Sequence, residues 1–83
     1  MEVLRVQALR SGEIVMDGAP ATLDKLTAKL TKIGTERGAV FYYREQPDQE
    51  PTPEQLVVFK AIIDAQVPVR LATKPDFSDA VGH

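Results

Sequence analysis

Residues 12–33 constrain the fold most, because they predict a strand, a turn and an amphipathic helix in direct succession. Ile14 and Met16 alternate with their neighbours in the pattern of a half-buried strand. Asp-Gly-Ala-Pro at residues 17–20 predicts the end of that strand, because glycine adopts positive φ and proline has no amide donor. Thr22 is the predicted N-cap of the helix. Its apolar residues follow at helical spacing and are Leu23, Leu26, Leu30 and Ile33.

Three further segments have the composition of strands. They are residues 3–9, 39–44 and 67–73. The short loop after the first of them favours an antiparallel hairpin. The predicted order is β-β-α-β-α-β, which places two helices on one face of a mixed four-stranded sheet. We therefore predict one two-layer α+β domain over residues 1–77 and a frayed tail at residues 78–83.

Both predicted helices have clear boundary signals. Gly38 is the expected left-handed residue at the end of the first helix. For the second helix, Thr52, Pro53 and Gln55 form a capping-box start, and the helix is expected to run to about Ala65. These signals place the polar, proline-rich segment before Pro53 in a loop.

The second helix is apolar on more than one side, which predicts either deep burial or contact with a partner. Its expected core face comprises Leu56, Phe59, Ile62 and Ile63. A second apolar strip is a candidate self-association surface and comprises Val57, Val58, Ala61 and Ala65. Alternatively, the proline-rich loop or the C-terminal tail, with Phe77, would cover that strip.

Composition excludes several classes of function. The 83 residues include no cysteine and one histidine, and the net charge of the chain is −2. Disulfides, thiolate metal sites and a cysteine nucleophile are therefore impossible, and a general nucleic-acid binder is disfavoured. The acidic residues of the loop match no calcium-binding pattern, and the lone His83 has no oriented partners. We therefore predict no metal, no cofactor and no enzymatic activity.

The strand alternation also predicts a basic patch on the sheet face away from the helices. Its members are Arg5, Tyr42, Arg44 and Arg70. This assignment assumes that Phe41 and Tyr43 face the core. Such a patch would bind a carboxylate-bearing peptide or another acidic protein surface. The alternative is a solvated sheet face with dispersed charge, and nucleic acid is not the predicted partner.

Several motifs follow one another in a familiar order. Gly12 precedes two hydrophobic residues and Asp17-Gly18, and Thr22-Leu23-x-x-Leu26-x-x-x-Leu30 comes next. The segments AVFYYR, LVVFKAIIDAQV and VRLATKPD then follow. This pattern resembles the ExbD/TolR biopolymer-transport proteins. The resemblance implies the soluble, periplasmic domain of a proton-motive-force coupling complex, which dimerises and engages a partner, often by strand addition at a sheet edge.

The sequence also departs from that family. Members have an N-terminal transmembrane helix with an essential acidic residue, and this sequence contains no such segment. Arg44-Glu45 stands where members commonly have a small residue and Asp, and Ala65-Gln66 stands where they often have Ala-Gly. No proton-carrying residue is therefore transferred to this chain.

We predict a non-catalytic domain that binds a protein partner, or a second copy of itself as a homodimer, at a sheet edge or at the open sheet face. The alternative is a stand-alone cytoplasmic small-ligand or regulatory module. No membrane insertion is expected, since the longest apolar stretch is too short to span a bilayer. The expected location is cytoplasmic for the chain as given, and periplasmic for a fragment of a membrane-anchored protein.

Overall fold

The computed structural model describes residues 3–46 and 48–74, which form an α+β domain with a mixed sheet of five strands. The elements are β1 (Val3–Ala8), β2 (Ile14–Met16), β3 (Ala19–Ala21), α1 (Leu23–Thr35), β4 (Ala39–Arg44), α2 (Pro53–Asp64) and β5 (Val69–Ala72). The strand order is β3-β2-β1-β4-β5. β4 pairs in parallel with both β1 and β5, whereas β1, β2 and β3 form an antiparallel meander. The predicted α+β class and mixed sheet are confirmed, and the predicted tail with Phe77 lies outside the described residues.

The prediction of four strands was wrong, because residues 17–20 contain a hairpin turn and not only the end of a strand. Asp17 and Gly18 have φ values of 51° and 85°. Positive φ at both central residues is typical of the type I′ turn, which returns the chain directly into a paired strand. β3 therefore pairs with β2, and its Pro20 lies at the edge of the sheet, where proline is tolerated.

Both helices pack on the same face of the sheet. The core contains Leu4, Val6 and Ala8 from β1, together with apolar side chains from both helices. The helical contributors are Leu26, Leu30, Ile33, Val58 and Ile62. Alternation along β1 thus predicted its buried face correctly, because one side of that strand faces the helices and the other side is more exposed.

The predicted start of α1 is confirmed, and its predicted end is one residue away from the observed one. The Thr22 hydroxyl accepts a hydrogen bond from the Lys25 amide at 3.2 Å. At the other end, Arg37 has the left-handed conformation, with φ of 56°. The following Gly38 amide donates to the Ile33 carbonyl at 2.8 Å, as in a Schellman motif. Arg37 occupies the position that we had predicted for Gly38.

The predicted faces of β4 were reversed. In the parallel register, Leu4 lies beside Val40 and Val6 lies beside Tyr42, so Tyr42 points to the helices. Phe41 and Tyr43 consequently lie on the face away from the helices (the open face), where buried Tyr43 and Ala72 form a small second cluster with Phe41. The segment AVFYYR is apolar at almost every position. Polar and apolar residues therefore do not alternate along β4 in a way that distinguishes its two faces. Pairing with β1 determines the faces instead.

The capping box at the start of α2 is confirmed, but the predicted core face of the helix was wrong in part. Its buried residues are Gln55, Val58 and Ile62. Leu56 and Ile63 are 52% and 49% exposed. Neither helix in the described part of the chain is long and apolar enough to cross a membrane.

Candidate functional site

Gln55 fixes the position of α2 against the sheet. Its side chain is only 1% exposed. Nε2 donates to the Ala8 carbonyl at 3.0 Å and to the Glu45 carbonyl at 3.1 Å. Oε1 accepts from the Thr52 amide at 2.9 Å. These three bonds join the ends of β1 and β4 to the start of α2, and they thereby turn Leu56, the next residue, away from the core.

Two arginines organise the acidic loop that connects β4 to α2. Arg10 donates from its backbone amide to the Glu45 carboxylate at 2.8 Å and from its side chain to the Glu50 carbonyl at 3.0 Å. Arg44 donates to the Gln49 carbonyl at 3.0 Å. The described residues contain no group of three or more His, Cys, Asp or Glu side chains placed to hold a metal ion.

The two edges of the sheet differ in their capacity to accept another strand. At one edge, β3 has only three residues, and its exposed middle residue, Pro20, has no N–H. At the other edge, the Val40 amide donates to the Pro68 carbonyl at 2.9 Å. In this parallel register, that bond leaves the N–H and C=O groups of Val69 and Leu71 directed away from β4. Among residues 3–46 and 48–74, β5 is therefore the open edge.

An apolar groove lies beside β5, between that strand and α2. We call this cavity of about 110 Å³ the edge groove, and it is lined by Tyr42, Arg44, Pro51, Gln55, Leu56, Phe59 and Leu71. Leu71 is 64% exposed although it points to the helix side of the sheet. With Leu56 it forms an apolar margin next to the backbone groups of β5 that point away from β4. Exposed leucines at an open sheet edge are typical of an interaction surface.

Tyr42 lies at the inner side of the edge groove. The residue is 5% exposed, and its ring packs against Phe59 with centroids 5.3 Å apart. Its hydroxyl oxygen is buried and has no hydrogen-bond partner among the described residues. Burial raises the pKa of this hydroxyl above its ordinary value, while the positive charge of Arg44 acts in the opposite direction. Tyr42 is therefore a neutral hydrogen-bond donor at physiological pH.

The structure separates the four residues of the predicted basic patch. Arg5 and Arg70 lie on the open face, in one cross-strand row with Phe41 between them. The Arg5 guanidinium carbon is 5.9 Å from the centroid of the Phe41 ring. Tyr42 and Arg44 lie on the helix side and line the edge groove. The expected placement of the four residues on one face was wrong, because β4 has the opposite orientation; partner binding by any of them stays a prediction.

The predicted self-association strip on α2 is also divided. Val58 belongs to the core, and Ala65 packs against the core. Val57 and Ala61 instead line a surface groove between α1 and α2. A single surface therefore does not present all four residues, although self-association itself stays a prediction.

Sequence reasoning missed Leu56, Phe59 and Leu71 as members of a surface site. Leu56 and Phe59 were assigned to the core because α2 is apolar nearly all round. The usable signal was Gln55, since a capping-box residue with an amide group can reach the ends of neighbouring strands. That anchor determines which side of α2 faces the sheet, and periodicity alone does not.

Comparisons with protein-family models, with curated proteins and with solved structures find no match to this chain. They neither support nor contradict a relationship to ExbD/TolR proteins.

Proposed function

We propose that this chain is a non-catalytic protein-interaction domain that binds an extended segment of a partner protein along β5, as its resemblance to ExbD/TolR soluble domains implies. The supporting observation is the asymmetry of the sheet edges. Proline blocks β3, whereas β5 offers the backbone groups of Val69 and Leu71. Strand addition uses such groups for affinity and adjacent grooves for selectivity.

The side chains around β5 favour the same mode of binding. Leu56 and Leu71, which line the edge groove, are large apolar residues that remain about half exposed or more. Complete burial of such a side chain is worth about 1.5–3 kcal/mol, which offsets part of the cost of association. An added strand would cover Leu71 and bring its own side chains against Leu56.

The experiment uses random peptides displayed on phage and selected against the full chain. Selected peptides are then synthesised, and amide hydrogen exchange is followed by NMR. We expect exchange at the Val69 and Leu71 amides to slow when a peptide binds, because these N–H groups gain carbonyl acceptors. Protection confined to the open-face residues Arg5, Phe41 and Arg70 would contradict binding at β5, as would a selection that yields no binding peptide.

Matched variants separate the backbone contribution from the side-chain contribution. Leu71→Pro removes an N–H that is directed away from β4, so we expect the fold to persist and peptide binding to be lost. Leu71→Ala keeps this N–H and should weaken binding less. Pro20→Ala changes the opposite edge and should leave peptide affinity unchanged. Equal affinity of the wild type and Leu71→Pro would refute the proposal.

A further inference from the structure

A second groove lies on the helix layer, between α1 and α2, and it shares no lining residue with the edge groove. Two cavities of about 290 Å³ and 510 Å³ form it, and both are lined by Leu23 and Val57. These two apolar side chains are 39% and 51% exposed. We call this surface the helix groove. Large apolar side chains that remain exposed side by side are typical of an interaction surface.

The shape of the helix groove fits an α-helix. Its walls are the facing sides of α1 and α2, and the small residues Thr27 and Ala61 lie next to Leu23 and Val57. The Thr27 hydroxyl donates to the Leu23 carbonyl at 2.6 Å, so its proton is already used within α1. Along α2 the groove extends from Glu54 to the end of the helix, which is about 15 Å or three helical turns. Amphipathic helices bind in apolar grooves of this kind.

The charged side chains around the helix groove are mainly acidic. Four carboxylate residues line it, and all four are exposed: Glu13, Asp24, Glu54 and Asp64. Lys60 is the one cation among the described lining residues. A segment with positive charge would therefore be attracted to the rim of this groove, and an acidic segment would be repelled.

Asp64 gives a separate indication of a positively charged partner. It lies in the last turn of α2, where the helix dipole disfavours a negative charge, and no basic residue in that turn compensates for it. Asp24 and Glu54 differ in this respect, because they lie in the first turns of α1 and α2 and stabilise their own helices. A lysine or arginine from a bound partner would offset the cost at Asp64.

The same charges disfavour other occupants of the helix groove. A second copy docked symmetrically would place this acidic rim against itself. Residues 75–83 of the chain include Asp76 and Asp79 but no lysine or arginine, so they do not supply the complementary charge. Anionic lipids and nucleic acids would also be repelled. The remaining occupant is a partner protein that presents positive charge beside an apolar surface.

We infer that the helix groove binds a basic amphipathic helix of a partner protein, whose apolar stripe covers Leu23 and Val57 and whose lysine or arginine side chains lie beside Asp24 and Asp64. This inference goes beyond the proposed binding at β5 and does not depend on it. The two surfaces have no lining residue in common, so both can be occupied at once.

The test begins with phage-displayed amphipathic helices of about five turns, selected against the full chain. The library keeps a leucine stripe at helical spacing and varies the flanking positions among Lys, Glu, Gln and Ala. We expect the selected peptides to carry lysine beside the stripe. In the tightest-binding peptide, replacement of these lysines with glutamate should weaken binding at least about tenfold, as measured by fluorescence anisotropy.

Val57→Lys identifies the surface to which the selected helix binds. The change removes an apolar contact and adds a cation that repels the peptide, and the fold should persist because Val57 is half exposed. We expect affinity to fall at least about tenfold. Ile63→Lys is the matched control, since Ile63 is 49% exposed on another side of α2 and lines neither cavity. That variant, and also Leu71→Pro, should bind within about twofold of the wild type.

Asp64→Asn separates a binding role from a structural one. We expect the variant to bind the peptide about two- to fivefold more weakly, because an exposed ion pair is lost. Its melting temperature should rise by about 2–5 °C, because the helix dipole is relieved of an unfavourable charge. Asp48→Asn makes the same change in net charge within the loop before α2 and should alter neither quantity.

Several results would overturn the inference. They are a selection that yields no helical binder, equal binding of the lysine and glutamate peptides, and wild-type affinity of Val57→Lys or Asp64→Asn. If Leu71→Pro abolishes binding of the selected helices, they bind at β5, so this inference is wrong and the proposed function stands. If no peptide protects the β5 amides while Val57→Lys still abolishes helix binding, the proposed function fails and this inference stands.

Discussion

At the residue scale, the buried hydroxyl of Tyr42 links stability to pH. Desolvation raises its pKa in the folded protein above the ordinary value of about 10, in spite of the charge of Arg44. The unfolded chain therefore releases this proton at a lower pH than the folded protein does. The resulting contribution to stability is present below about pH 10 and is lost as the pH rises towards the folded-state pKa.

Tyr42→Phe tests this link. We expect the variant to lose less stability than the wild type between pH 9 and pH 11, since a titrating group with a raised pKa is removed. At neutral pH, we expect the variant to be as stable as the wild type or more stable by up to about 1 kcal/mol in the free energy of unfolding. The reason is that a buried hydroxyl without a partner is removed. Urea denaturation at each pH measures both effects, and a less stable variant at pH 7 would contradict the assignment of an unpartnered hydroxyl.

Gln66 gives a second prediction at this scale. It follows α2 with φ of 58°, a conformation that costs a residue with a Cβ about 1–2 kcal/mol. We expect Gln66→Gly to raise the free energy of unfolding by about 0.5–1 kcal/mol, since glycine adopts this conformation without the steric cost but loses more backbone entropy on folding. Gln66→Val should lower stability. Thermal denaturation ranks the three proteins, and an order with glycine below glutamine would contradict the prediction.

At the scale of elements, Gln55 holds α2 to the ends of β1 and β4. Gln55→Leu keeps the size of the side chain but leaves the Ala8 and Glu45 carbonyls and the Thr52 amide without this partner. We expect a loss of about 2–4 kcal/mol in the free energy of unfolding, because buried polar groups become unsatisfied.

Gln55→Glu separates the capping bond to Thr52 from the two bonds to the Ala8 and Glu45 carbonyls. The carboxylate would still accept from Thr52, but it has no N–H groups for the carbonyls of Ala8 and Glu45. We therefore expect Gln55→Glu to be destabilised at neutral pH even though glutamate is a common capping-box residue. Lys60→Gln, on the exposed side of α2, is the matched control and should change stability by less than about 0.5 kcal/mol. Wild-type stability of Gln55→Glu would show that only the capping bond matters.

Strong local sequence signals were sufficient to predict strand faces and helix starts. Alternation predicted the buried face of β1, and the caps at Thr22 and Thr52 predicted the starts of both helices. The turn at Asp17-Gly18 contained enough information to predict β3, because Asp-Gly is a strong hairpin signal. The proline that follows was interpreted only as a strand breaker, although it is compatible with an edge strand.

The candidate site was less predictable because it depends on contacts between distant segments. The orientation of Tyr42 follows from pairing between β4 and β1, and the exposure of Leu56 follows from the bonds of Gln55 to Ala8 and Glu45. Neither β4 nor α2 has a polar stripe clear enough to indicate these orientations. Sequence alone thus predicted the α+β class and the mixed sheet, but it missed β3 and assigned Tyr42 and Arg44 to the wrong face.

At the scale of the whole molecule, the sheet formed by the described residues has one blocked edge and one open edge. Pro20 removes a donor from β3, while β5 keeps its outward groups. A molecule with a single open edge can pair with one partner strand or with one second copy, but it cannot extend into a continuous sheet. Natural sheet proteins use proline at edges for this purpose.

Opening the second edge should therefore change the assembly of the protein. Pro20→Thr supplies an N–H and a β-branched side chain to β3, so each molecule would have two edges that accept strands. We expect sedimentation velocity to show that the average mass of Pro20→Thr keeps rising with concentration, whereas the wild type stops at a monomer or a dimer. Adding Leu71→Pro to Pro20→Thr should restore the limit, because growth needs both edges. Two results would contradict this prediction: Pro20→Thr keeps the average mass of the wild type, or the average mass of the double variant still rises with concentration. Either result would show that edge pairing does not govern association, and it would remove the main argument for β5 as the binding edge.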